Sequence, residues 1–174
     1  MHMTHDNGSE GCTSPREAQG LDKLALEVAR VWYAGRSPVA PGTVGSAVAA
    51  LLAPWLFLPL PLGWRVVVLL AVFCGGAWAA GRAARVLGRC DPGSVVIDEV
   101  AGQWVTMLPF ATLSPLGVLT AFVLFRVFDI LKPGPVGASE SWLDGGPGIM
   151  IDDVVAGACA AAVLAVLLWL GLPG

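Results

Sequence analysis

Long apolar runs separated by short polar punctuation dominate the chain. They cover about Val44–Leu62, Val66–Gly81, Val100–Phe110, Leu116–Phe125 and Val154–Leu172. The first and last are long enough to cross a bilayer, which takes about twenty residues. Val100–Phe110 and Leu116–Phe125 are shorter and are split by the turn-like stretch Ala111-Thr112-Leu113-Ser114-Pro115. Extended to their polar ends near Val95 and Ile130, both arms approach tilted spans, and the pattern predicts a helical hairpin. Ahead of these runs, Leu24, Leu26, Val28, Val31 and Trp32 alternate with Asp22, Lys23, Glu27 and Arg30. That spacing predicts a short amphipathic helix, lying on a membrane surface or packed on the domain's own polar end. Residues 1–20 are polar and aperiodic and read as a disordered tail. They are not a signal peptide, because no apolar stretch follows a basic one.

The expected fold class is all-α: a polytopic helical membrane protein with about four transmembrane or membrane-embedded helices and a short amphipathic N-terminal helix. Residues 21–174 form one membrane-embedded domain in this reading. Composition agrees. Of 174 residues, 56% are hydrophobic and 13% charged, against roughly a quarter charged in soluble domains. The net charge of −3 excludes nucleic acid as a partner, since no basic face is available. Cys12, Cys74, Cys90 and Cys159 are scattered without a paired spacing and read as small hydrophobes. Both histidines, His2 and His5, fall in the tail, so the body of the protein has none.

Charge sets the orientation. The link Pro59–Trp64 has no Lys or Arg apart from the adjoining Arg65, whereas Arg82, Arg85 and Arg89 follow the second apolar run. The second side is therefore expected to be cytoplasmic. A hairpin between Val100 and Phe125 returns the chain to that side, so that three acidic clusters share one edge.

Those clusters are Asp98-Glu99, Asp129 between Arg126 and Lys132, and Asp152-Asp153. Carboxylates beside apolar segments are costly unless paired, hydrated or bound to a cation. Pairing with neighbouring bases at a helix boundary accounts for one such acid more readily than for five, four of them in two doublets. Hard oxygen donors suit magnesium, and the candidate ligands and catalytic acids are Asp98, Glu99, Asp129, Asp152 and Asp153. Ile97-Asp98-Glu99-Val100-Ala101-Gly102 is echoed in Ile151-Asp152-Asp153-Val154-Val155-Ala156-Gly157. The echo suggests two similar helix starts facing one site, with Gly102 and Gly157 allowing close contact. Upstream, the loop Gly35–Ser46 carries two prolines and runs into a helix start. Thr43 or Ser46 caps that helix, or offers donors to an anion at its positive end. With the backbone at Gly45 and the bases Arg126 and Lys132, these form the candidate phosphate-binding set.

A cation beside two bases calls for a phosphate ligand. No body histidine, Cys-x5-Arg loop or Asp-x-Asp motif is present. Metal-assisted hydrolysis of a phosphomonoester, with one acid as general base, is what remains.

Four stretches, Pro41–Ser46, Ile97–Gly102, Phe125–Pro133 and Gly145–Asp153, occur in an order that resembles the phosphatidylglycerophosphatase A family, over about Leu24 to the C-terminus. The resemblance implies a magnesium-dependent, mainly helical enzyme of the bacterial inner membrane. Such an enzyme removes the terminal phosphate of phosphatidylglycerophosphate, a phospholipid substrate drawn from the bilayer. The rival class is a small transporter whose acids line an ion or solute pathway. That would place the acids near the bilayer midplane, whereas here they fall at segment ends.

Overall fold

The computed structural model describes residues 17–89 and 92–172. The polar tail up to residue 16, with His2, His5 and Cys12, lies outside the described residues, as does Cys90. Every regular element among the described residues is helical. In chain order they are α1 (Leu21–Ala29), a single 3₁₀ turn (Ala34–Arg36), α2 (Pro41–Leu56), α3 (Leu62–Leu87), α4 (Ile97–Met107), α5 (Pro115–Leu131), α6 (Pro135–Ser139) and α7 (Gly145–Trp169). Two of them, α3 and α7, are long and apolar enough to cross a membrane.

Several boundaries differ from the apolar runs. The first run predicts a span to Leu62, but α2 stops at Leu56, shortly after an internal Pro54. The second run predicts a helix to Gly81, yet α3 continues to Leu87 and carries Arg82 and Arg85 on its last turns. Its extra length is covered by α1: Ala25, Leu26 and Ala29 pack on Ala79, Ala80, Ala83 and Val86. Arg82 pairs with the buried Asp22 at 2.8 Å, tying the two helices at their polar end. α1 itself ends at Ala29, because Val31 and Trp32 take positive φ values.

The predicted hairpin is present. At one end Arg126 of α5 approaches Glu99 of α4, and at the other the loop between them folds over α3. There Arg65, buried and three residues into α3, donates through Nε to the Leu60 carbonyl (2.8 Å). Its terminal nitrogens donate to the carbonyls of Leu58, Leu108, Phe110 and Ala111. One guanidinium thus closes the α2–α3 and α4–α5 loops together, where carbonyls past helix ends are otherwise unpaired. A cavity of about 620 Å³ sits beside it, lined by Leu58–Leu62, Leu108, Pro109 and Thr112, far from the acids. The core below the loops is Phe57, Leu69, Met107, Ala121 and Leu164, with Trp104 stacked on Phe57 at 5.0 Å.

Small residues set the closest helix contacts. A Cβ on Gly146 would fall 1.8 Å from the Ala77 carbonyl oxygen, so α7 lies directly on α3 there. The run Gly145-Gly146-Pro147-Gly148 is already helical for this reason, with Pro147 tolerated in the first turn.

Candidate active site

The first turn of α4 is seated by a backbone bond outside any helix, from the Val96 N–H to the Ala29 carbonyl of α1 at 2.8 Å. This fixes Asp98 and Glu99 relative to α1 and α3. Asp98 is 8% exposed and its Oδ1 accepts from the Glu99 N–H at 3.0 Å. Asp153, 5% exposed, faces them from α7. Carboxylate oxygens of Asp98, Glu99 and Asp153 lie within 4.8 Å of one another. Three acids so close in an apolar bundle repel one another unless a cation lies between them.

Asp129 adjoins this cluster from α5. It is a near neighbour of both Glu99 and Asp153, and it holds the Arg126 guanidinium at 2.7 Å. Arg126 in turn lies 3.9 Å from Glu99 and donates to Ser46 Oγ at 3.2 Å. Ser46 thereby connects α2 to the site, while its own hydroxyl donates to the Gly42 carbonyl at 2.7 Å. Neither Thr43 nor Ser46 caps α2, contrary to one expectation; the preceding Ala40 adopts a left-handed conformation and Pro41 occupies the first turn. Gly45 faces Val96, with space for a Cβ only 3.1 Å from the valine side chain. Gly42 packs against Glu99 instead: a Cβ there would meet Oε1 at 1.9 Å.

Asp152 departs from the expected constellation. Its Oδ2 accepts from Lys132 Nζ at 2.7 Å, and Lys132 also pairs with Glu140 at 2.6 Å. Burial works against the charged ammonium, but these hydrogen bonds outweigh it and hold Lys132 above its ordinary pKa. Lys132 and Asp152 therefore form a second, more exposed pair beside the cluster of three. The two acidic doublets are not equivalent helix starts either. Asp98 and Glu99 lie in the first turn of α4, whereas Asp152 and Asp153 lie two turns inside α7. The glycine contact read from the echo does form: a Cβ on Gly157 would lie 2.3 Å from the Gly102 carbonyl oxygen.

Unpartnered buried atoms mark the site as built for a ligand. Glu99 Oε2, Arg126 Nε and both amide atoms of Gln103 have no hydrogen-bond partner, although such groups are normally satisfied. Gln103 is fully buried one turn below Glu99. The sequence places it on the Glu99 face, but nothing in a lone glutamine distinguishes it from a packed core amide. An orphaned carboxylate oxygen among three converging acids fits a hard divalent cation, and the donor set is all oxygen.

The profile of the phosphatidylglycerophosphatase A family matches residues 28–168, an interval that contains every residue of this site. The chain belongs to that family. Among its relatives, the phosphatidylglycerophosphatase A of Escherichia coli strain K12 is 36% identical over 152 residues, which is 82% of this chain and 86% of the relative. That of Haemophilus influenzae is 37% identical over 134 residues, 75% of this chain and 81% of the relative. A Bacteroides thetaiotaomicron protein with the provisional name phosphatidylinositol-3-phosphatase is 40% identical over 141 residues, 78% of this chain and 87% of the relative. No solved structure matches the chain.

Proposed function

We propose that the protein hydrolyses the terminal phosphate ester of phosphatidylglycerophosphate, giving phosphatidylglycerol and inorganic phosphate, with Mg²⁺ as its cofactor. The observation that carries this reading is the convergence of Asp98, Glu99 and Asp153 beside Arg126, in a chain belonging to this family. Asp98, Glu99 and Asp153 would hold the ion. When bound, it would supply positive charge to the phosphate oxygens and make the phosphorus more electrophilic.

The chain's own groups account for the rest. Arg126 is fixed by Asp129 and Ser46 so that its guanidinium edge neutralises a phosphate oxygen. Asp129, outside the converging three, takes the proton from the attacking water and returns it to the departing glycerol oxygen. Lys132, tethered through Asp152, holds positive charge at the outer side of the site and attracts the anionic headgroup.

This reading places about four membrane-embedded helices in the bacterial inner membrane, with the site on the cytoplasmic side. Exposed Trp55, Trp64 and Trp169 lie at the end bearing the Arg65 loops or at the far end of α7, and Arg82 and Arg85 at the other. Exposed Trp32, Tyr33, Trp78 and Trp142 lie at the end with the bases, so aromatics mark both ends while the bases of α3's last turns mark the cytoplasmic one, as expected of a membrane protein. The acids gather at one end of the α4–α5 hairpin, which suits a headgroup reaction and not a conduction path.

Purified protein in mixed micelles should release phosphate from phosphatidylglycerophosphate with Mg²⁺, and stop on chelation. Undiminished turnover after complete chelation would sink the metal assignment. Release from phosphatidylinositol 3-phosphate alone would move the substrate to that of the Bacteroides relative's name.

A further inference from the structure

An apolar groove of about 330 Å³ runs along α3 to Ile97, the residue that precedes Asp98 on α4. Its walls are Val28 of α1, Val68, Val72, Gly75 and Gly76 of α3, and Ile97 of α4. Ile97 immediately precedes Asp98, so the groove and the acid cluster share a helix turn. From Val68 to Gly76 it follows about 12 Å of α3. One end is at Ile97, next in sequence to Asp98, and Val68 extends the other toward the end of α3 that bears Arg65.

The glycines make the trough. A Cβ on Gly75 would meet nothing within 4 Å, so the space above it is open. Gly76 lets Ile97 and Met150 close in beneath, at 3.2 and 2.8 Å from where its Cβ would stand. No charged or hydrogen-bonding side chain lines the trough. A polar ligand would lose its water there without compensation, whereas a hydrocarbon chain would not. Val67 and Leu70, beside it on α3, are exposed apolar residues, as a surface facing lipid requires.

We propose that this groove seats one acyl chain of the phospholipid substrate, so that the diacylglycerol end is held along α3 while the phosphate reaches Asp98, Glu99 and Asp153. The inference rests on the lipid phosphatase reading above and extends it to how the substrate is positioned. A tail moving from bilayer to groove stays in apolar surroundings, so the gain is dispersion and shape and not the hydrophobic effect. The groove therefore acts as a guide, and its loss should change KM by about fivefold, not by orders of magnitude.

Two measurements test this. Gly75→Leu puts a side chain into the trough at a position where a Cβ meets nothing within 4 Å; Gly63→Leu, also at an open position of α3 but near the far loop, is the control. With dioleoyl phosphatidylglycerophosphate in mixed micelles, Gly75→Leu should raise KM about fivefold with kcat within twofold, while Gly63→Leu matches wild type. Equal KM values for all three folded proteins would overturn the proposal. In the second, a diacyl lipid phosphate carrying a diazirine in the upper part of one acyl chain is photolysed with the wild-type protein. Crosslinks should concentrate in the segment 68–76 and fall in Gly75→Leu; crosslinks spread over α5 and α7 as heavily as α3 would refute the groove. Crosslinking does not need turnover. A protein that crosslinks at 68–76 but releases no phosphate would leave the groove standing and defeat the hydrolase reading instead.

Discussion

Gly157 of α7 and Gly102 of α4 meet so closely that a Cβ on Gly157 would stand 2.3 Å from the Gly102 carbonyl oxygen. One turn toward the site from this contact are Asp153 on α7 and Asp98 and Glu99 on α4, so the glycine pair sets how near the three carboxylates come. Gly102 is confined as well, between Phe125 and the Asp153 carbonyl. Where lipid gives helices no hydrophobic reason to associate, close packing of small residues supplies it.

Gly157→Ala should therefore push α4 from α7, costing about 1–3 kcal/mol as overpacking usually does. Turnover should fall at least tenfold, because the ligand set widens. Phosphate release and a thermal midpoint in the same detergent would check both. An active variant with an unchanged midpoint would show that the helices are not as close as described.

The two acidic doublets should separate under mutation. Asp153→Asn keeps the shape but removes a charge from the converging three, so metal affinity and turnover should both be lost. Asp152→Asn and Lys132→Ala both break the Asp152–Lys132 pair beside the site, the second also the pair with Glu140, and both should show a raised KM, a lower rate and near-normal Mg²⁺ affinity by titration, more strongly in Lys132→Ala. Equal metal loss in Asp152→Asn and Asp153→Asn would place both in one ligand set.

Lys132 also has a pH signature. Its folded pKa is raised above the unfolded value, so its contribution to stability is complete below about 10.4 and fades only as pH rises through the folded value. Stability measured between pH 6 and 9 should thus differ between wild type and Lys132→Ala by a constant offset. An offset that shrinks across this range would mean that the ammonium is already losing its proton.

Much of this arrangement is legible in the sequence because charges in apolar runs have few reasons to be there. The hairpin follows from the Ala111–Pro115 break, and the meeting of Asp98, Glu99, Asp129 and Asp153 follows from the hairpin. Other features depend on tertiary contacts that periodicity does not carry. α3 runs past Gly81 because α1 covers Ala79, Ala83 and Val86, a long-range fact. α7 begins at Gly145 because Gly146 must lie against Ala77, so a run that reads as a loop is a packing surface. Asp152 looks identical to Asp153 in sequence; one helical step of about 100° turns it toward Lys132.

Arg65 was legible only as a charge near a loop, yet it joins two loops. Its donors meet carbonyls of Leu58, Leu60, Leu108, Phe110 and Ala111. Arg65→Leu would leave several of these unpaired in an apolar setting, and each such group costs about 1–3 kcal/mol. The variant should lose several degrees of thermal stability while the Mg²⁺ affinity of surviving folded protein stays normal, since the acids are at the opposite end. Loss of metal binding with stability intact would contradict this division of the molecule.

The start of α2 can be tested at Gly42, where a Cβ would lie 1.9 Å from Glu99 Oε1. The obstructing atom is the tip of a flexible side chain, so Gly42→Ala should not unfold the protein. In a helix the change from Gly to Ala by itself favours the fold by about 1 kcal/mol. Glu99 would have to swing away, however, and its carboxylate is both a member of the converging three and a neighbour of Arg126 at 3.9 Å. The expected result is a variant at least as stable as wild type, with Mg²⁺ affinity and turnover each reduced about tenfold, roughly the 1.4 kcal/mol of one displaced contact. Gly63→Ala, where nothing lies within 4 Å, supplies the comparison: the same gain in helix propensity with no change in activity. If Gly42→Ala binds Mg²⁺ and turns over lipid as well as Gly63→Ala does, then Glu99 is not held where the ligand set requires it, and Asp98 and Asp153 would have to bind the ion without it.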